Sequence, residues 1–132
     1  AVALAEHHNM DVKYCFNRKE AKSHGEGGTL IGAPLEGRIL IIDDVITAGT
    51  AIREVMTMVE LAGGEAVGVV IGLDRKERGT SSKSAIQEVE KQFSIPVISI
   101  IDMDDILTYL KSQSDMKAVV KDIKTYRKEY GV

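Results

Sequence analysis

The chain has 132 residues, 44% of them hydrophobic and 28% charged, with a formal net charge of −3. That is the balance of one ordinary globular domain, and the acidic excess argues against a general nucleic-acid binder. No apolar run is long enough to span a membrane, no secretory pattern is visible, and the lone Cys15 excludes an internal disulfide and fits a reducing cytoplasm.

The predicted elements begin with the end of an amphipathic helix. Residues 1–8 read as its last turns, closing near Asn9, so the chain is expected to start inside a fold. Val12, Tyr14 and Phe16 alternate as in a half-buried strand. Residues 17–33 are charged and glycine-containing, which predicts a mobile functional loop. Ile39, Leu40, Ile41 and Ile42 are apolar on both faces, as in a strand buried within a parallel sheet. Ile52, Val55, Met56 and Val59 mark one face of a helix that Gly63 and Gly64 stop.

Residues 67–73 predict another buried strand, ending at Asp74 and Arg75, and 76–83 a polar loop. Ser84 and Gln87 have capping-box spacing, and Ile86, Val89 and Phe93 give the next helix its apolar face. Residues 97–101 predict a further strand, and Asp102 the cap of a short helix containing Ile106, Leu107 and Leu110. Met116, Val119, Val120, Ile123 and Tyr126 mark a last helix. The β-α alternation predicts an α/β fold: one domain over 1–132, an open, mostly parallel sheet, and helices on both faces.

Ligands of such sheets bind at the carboxyl ends of the strands. Three polar features stand at that edge: Asp43 and Asp44, the run Thr47, Ala48, Gly49 and Thr50, and Asp74 with Arg75. Adjacent carboxylates on an extended chain point to opposite sides, so one can face a ligand and the other a support. The small and hydroxyl residues after them open a helix, whose free N–H groups and dipole favour a phosphate. Caps alone would explain Asp or Thr before a helix, but not the doublet followed by the small-residue loop. A second concentration of chemistry lies in the predicted loop, where Arg18, Lys19, Lys22 and His24 cluster among Gly25, Gly27 and Gly28. Its plain reading is a solvated basic loop; its functional reading is a flap over a pyrophosphate, with His24 suited to proton donation.

The string from Ile39 to Thr50 resembles the phosphoribosyl-pyrophosphate (PRPP) signature of the type I phosphoribosyltransferases. The basic loop resembles the flexible catalytic loop of the orotate phosphoribosyltransferases, with Arg18, Lys19, Lys22 and His24 matching its cations one for one. The resemblance implies a type I phosphoribosyltransferase-like core. Asp43, Asp44, Lys19, Lys22 and His24 would be catalytic, and PRPP would be held by these five with Arg18 and residues 45–51. Arg75 and Thr47 would contact orotate, although a surface ion pair of Arg75 with Glu77 or Asp74 is the plainer alternative.

It also implies Mg²⁺ carried mainly on PRPP with no direct protein ligand, and a homodimer that shares the basic loop. The expected activity is conversion of orotate and PRPP to orotidine 5′-phosphate and pyrophosphate, in de novo UMP synthesis. The family's N-terminal hood, lysine and pyrophosphate loop have no counterpart here, so the chain is expected to lack that region; its end at Gly131 and Val132 suggests that no further domain follows. The rival readings are a purine phosphoribosyltransferase, a PRPP-binding regulatory module without activity, and a receiver-like or nucleotide-binding α/β domain.

Overall fold

The computed structural model describes residues 1–17 and 30–132. The chain divides into two compact units, Ala1–Glu36 and Gly37–Val132. In the first, helix α1 (Val2–His8) ends at Asn9, whose left-handed backbone (φ 56°) closes the helix as expected. Strands β1 (Cys15–Asn17) and β2 (Leu30–Gly32) pair antiparallel, with Phe16 opposite Ile31. Gly32 adopts φ 114°, and a Cβ there would lie 2.4 Å from the Tyr14 carbonyl, so only glycine fits.

The predicted strand around Val12 and Tyr14 is thus confined to its last residues, and Tyr14 and Phe16 are exposed rather than half-buried. Of the span predicted as a loop, Asn17 belongs to β1 and residues 30–32 to β2. Its cations Arg18, Lys19, Lys22 and His24 lie outside the described residues.

The second unit is built on three parallel strands in the order β3-β4-β5: β3 (Arg38–Asp43), β4 (Glu65–Asp74) and β5 (Val97–Asp102). Helices α2 (Thr50–Leu61) and α3 (Ala85–Phe93) connect them, followed by α4 (Met103–Lys111) and α5 (Lys117–Tyr130). The core joins Ile41, Val69 and Ile71 of the sheet to Ile46, Ile52, Ala85 and Val89. Burial of branched aliphatics at about 25 cal/mol per Å² is the main driving force for this layer.

Among the described residues of the second unit, the expectation of helices on both faces is met on one face. Leu40, Ile42, Ile98 and Ile100 alternate with the core residues and are 54%, 75%, 61% and 74% exposed. Strand side chains alternate between faces, and only one set has helices packed on it among the described residues.

Both predicted caps form. Ser84 accepts from the Gln87 N–H at 3.1 Å while Gln87 accepts from the Ser84 N–H at 3.1 Å. Asp102 and Asp105 make the same reciprocal pair at the start of α4. Downstream of β4, Glu88 accepts from the Ser81 and Thr80 backbones and the Thr80 hydroxyl, fastening residues 79–83 onto α3. Those bonds, from Ser81 and then Thr80, lower the Glu88 pKa from 4.5 to about 2.

A carboxyl group with a depressed folded-state pKa stabilises the fold above its unfolded pKa and loses that contribution as pH falls through the folded value. The stability difference between the parent chain and Glu88→Gln should therefore be largest above pH 4.5 and shrink as the pH drops through 2. Urea titrations across this range measure it, and a pH-independent difference would exclude Glu88 as the source.

Candidate active site

Strand β3 ends at Asp43, and the chain leaves the sheet at Asp44. The Asp44 carbonyl accepts from the N–H groups of Gly72 (2.9 Å) and Leu73 (3.0 Å), tying this exit to the end of β4. A Cβ on residue 72 would stand 3.1 Å from the same carbonyl oxygen, so glycine permits the close approach. Each Asp carboxylate also fixes the next backbone amide: Asp43 Oδ1 accepts from Asp44 N at 2.9 Å, and Asp44 Oδ1 from Val45 N at 2.7 Å. Asp43 is half-buried and Asp44 exposed, so the neighbours occupy different environments, in keeping with the alternation of an extended chain.

The loop then turns into α2 through Gly49, the residue before the helix, at φ 73°. Among the described residues no side chain caps α2, so its first-turn N–H groups keep their donor capacity beside the positive end of the helix dipole. A cleft of about 350 Å³ is lined by Asp43, Val45, Ile46, Thr47, Gly49, Thr50, Ala51, Ile52 and Glu54. It thus brings together seven of the expected PRPP-binding positions; Asp44, Ala48 and Arg75 do not line it. A second cleft, between α2 and the end of α3, is lined by Met56, Thr57, Val59, Glu60, Gly64, Ala66 and Phe93 and carries no comparable set of donors.

One residue that organises the loop escapes sequence reasoning. Arg53 donates through Nη1 to the Ala48 carbonyl (2.6 Å) and through Nε to Gln92 Oε1 of α3 (2.9 Å). Its Nη2 lies 4.0 Å from Glu88, so one guanidinium joins the loop, α2 and α3. The only available signal was an arginine one turn into α2; its partners lie on another helix and nothing local announces them.

Arg75 follows the last residue of β4 and makes the ion pair that the plainer reading anticipated, with Nη2 2.8 Å from Glu77 Oε2. Its Nε is buried without a hydrogen-bond partner among the described residues, so the pair does not exhaust its donors. Asp74, the other anticipated partner, instead accepts from the Lys76 N–H at 2.8 Å and turns the chain. Among the described residues no three His, Cys, Asp or Glu side chains converge as a metal cage. The chemistry of Asp43 and Asp44, two hard oxygen donors without a third, suits a hydrated divalent ion held chiefly by a ligand's phosphates.

A parallel sheet with an acidic doublet at a strand end, followed by a glycine-hinged loop into an uncapped helix, is the type I phosphoribosyltransferase arrangement. A crystal structure of orotate phosphoribosyltransferase from Francisella tularensis superposes with a TM-score of 0.80 at 34% identity, covering 99% of this chain and 62% of that one. No family model matches the chain. Along all 132 residues it is 58% identical to the orotate phosphoribosyltransferase of Pseudomonas aeruginosa and 59% identical to that of Cellvibrio japonicus. The chain is similar to these orotate phosphoribosyltransferases along its whole length, and spans 62% and 61% of the lengths of the two.

Gly49→Ala tests the loop geometry. A left-handed backbone costs an L-residue roughly 1–2 kcal/mol. The added Cβ would also sit 3.2 Å from Val89 Cγ2 and from Arg53 Nη1. The variant should unfold at lower urea concentration and bind inorganic phosphate more weakly; unchanged values for both would remove the strain argument.

Proposed function

We propose that this chain carries the ribose-phosphate part of an orotate phosphoribosyltransferase site and works as one catalytic core domain. The observation that carries the reading is the cleft itself, where Asp43, Thr47, Gly49, Thr50 and Ala51 surround the uncapped start of α2. In the proposed reaction a ring nitrogen of orotate bonds to the anomeric carbon of PRPP while the bond from that carbon to pyrophosphate breaks. The products are orotidine 5′-phosphate and pyrophosphate, a step of de novo UMP synthesis in the cytoplasm.

The 5-phosphate would take the N–H groups and hydroxyls of residues 45–51. Asp43 and Asp44 would hold the ribose hydroxyls and favour the positive charge that grows on the sugar. Arg18, Lys19, Lys22 and His24 would stabilise the leaving pyrophosphate, reaching the site from the second subunit of a homodimer. Arg75, with Thr47, would receive orotate, since a guanidinium fork suits a carboxylate or carbonyl edge. Mg²⁺ carried by PRPP would neutralise phosphate charge, with the Asp pair meeting its water shell.

Calorimetric titration with PRPP and Mg²⁺, followed by orotate absorbance, tests the reading in this chain and in the same sequence extended to the relatives' full length. Binding with loss of orotate absorbance is the expected outcome for the extended protein. Binding without turnover in both would instead support a regulatory module, and absence of binding in both would sink the pocket. Asp44→Asn should lower turnover by about 10²-fold, the scale of a lost transition-state charge contact; near-normal turnover would take Asp44 off the catalytic list. Lys22→Ala should be inactive alone yet regain part of its activity on mixing with Asp44→Asn, because one hybrid site is intact. No recovery after demonstrated subunit exchange would argue against a shared loop.

A further inference from the structure

Both Glu77 oxygens are engaged, by different elements. Oε2 pairs with Arg75 Nη2 at 2.8 Å, and Oε1 accepts from the Tyr126 hydroxyl of α5 at 2.9 Å. We infer that Glu77, braced by Tyr126, is a positioning residue that sets the Arg75 guanidinium for the base substrate; the inference rests on the orotate reading above.

The segment that carries these groups is held to α5 along its length. Arg78 N–H donates to the Tyr130 carbonyl (2.9 Å), the Arg78 guanidinium to the Glu129 carbonyl, and Val132 N–H to the Lys76 carbonyl (3.1 Å). Lys76, at a left-handed φ of 52°, places Nζ 2.7 Å from Asp102 and 2.6 Å from Asp104, and Arg127 of α5 meets Asp104 from the other side at 2.5 Å. The turn after β4 is therefore clamped between the start of α4 and the end of α5. Arg75 departs from the sheet at the first residue of this clamped turn and is restrained at its tip by Glu77.

The restraint leaves a specific vacancy in hydrogen bonding. Arg75 Nε is buried and has no acceptor among the described residues. A buried N–H without an acceptor is costly, so an incoming carbonyl or carboxylate gains by satisfying it. Fixing one Nη in advance removes part of the entropy loss that a long side chain incurs on binding. The Tyr126 hydroxyl has its pKa raised, first by its hydrogen bond to Glu77 and then by desolvation, so it stays a donor across the neutral range.

Electrostatics separates this role from a plain ion pair. Glu77 is an anion beside the cation that would receive anionic orotate. As charge alone it opposes binding, and its removal would tighten orotate. As a brace it helps binding, and its removal would loosen orotate. The two roles predict opposite signs.

The test measures steady-state kinetics in the sequence extended to the relatives' full length. Tyr126→Phe keeps the ring that packs 4.7 Å from Tyr130 and removes only the hydroxyl. It should raise KM for orotate about fivefold, the scale of one ordinary hydrogen bond, with kcat and KM for PRPP within about twofold. Glu77→Gln should raise KM for orotate as well. In an Arg75→Ala background, Tyr126→Phe should add nothing to KM for orotate, because a positioning residue acts only through its target.

A fall in KM for orotate in Glu77→Gln, an equal loss in all three parameters in Tyr126→Phe, or a persisting Tyr126→Phe effect without Arg75 would each overturn the inference. Should Glu77→Gln fail to fold, Tyr126→Phe with its Arg75→Ala cycle decides. A parent protein that turns over PRPP and orotate normally while the variants match it overturns the positioning role alone. A parent that does neither overturns the functional reading, and this one with it.

Discussion

The Asp44 carbonyl accepts hydrogen bonds from both Gly72 and Leu73, and the placement of the candidate site depends on this backbone junction. It extends the pairing of β3 with β4 one residue past the last paired position, Asp43 opposite Ile71. The chain can then leave the sheet at Val45 without leaving a buried amide unpaired, which a polar edge next to an apolar core cannot tolerate cheaply. Residue 72 has to lack a Cβ for the carbonyl to come this close. One consequence is that the acidic doublet and the Asp74 and Arg75 pair reach the same edge of the sheet, although 30 residues separate them in sequence. The site is therefore a product of strand register more than of any single side chain.

Helix α3 plays the corresponding part for the loops. Its Gln92 and Glu88 reach Arg53, which holds the Ala48 carbonyl, while Glu88 also gathers the amides of Thr80 and Ser81. Two loops that are distant in sequence are fastened to one short helix, whose own start is fixed by a capping box and whose Val89 is fully buried. Exposed ion pairs contribute little to stability on their own, but a shared guanidinium or carboxylate that also satisfies backbone groups restricts loop conformations. Such restriction is what a phosphate pocket built mostly from backbone donors requires.

Much of this was legible in the sequence because it is local. The capping box at Ser84, the Asp102 cap, the stripe of Ile52 and Val59, and the order of strand, acids, small loop and helix are all set within a dozen residues. The open face of β3 was not legible. Ile39, Leu40, Ile41 and Ile42 look alike to a hydrophobicity pattern, and only packing shows that Ile41 is buried while Ile42 stands 75% exposed. The pairing of β1 with β2 was missed for another reason: three-residue strands carry too few alternations to register. The Arg53 contacts and the bond from the Tyr126 hydroxyl to Glu77 were missed because each depends on a partner on another element, 39 and 49 residues away in sequence. The Arg75 to Glu77 pair was foreseen as an alternative to ligand binding, whereas the geometry lets the same arginine keep a buried donor in reserve.

The charge balance of the described edge bears on how such a site would work. Asp43, Asp44, Glu54 and Asp74 are acidic, while Arg75 already faces Glu77, and Arg53 is engaged with Ala48, Gln92 and Glu88. Such an edge is a poor host for a resting polyphosphate and a good one for a sugar that is becoming positive. Interactions that strengthen only as charge develops lower the barrier, whereas those that bind the ground state equally well do not. On the proposed reading, affinity for the polyphosphate would come from the α2 start, from its accompanying cation and from Arg18, Lys19, Lys22 and His24. The Asp pair would then be free to act on the transition state.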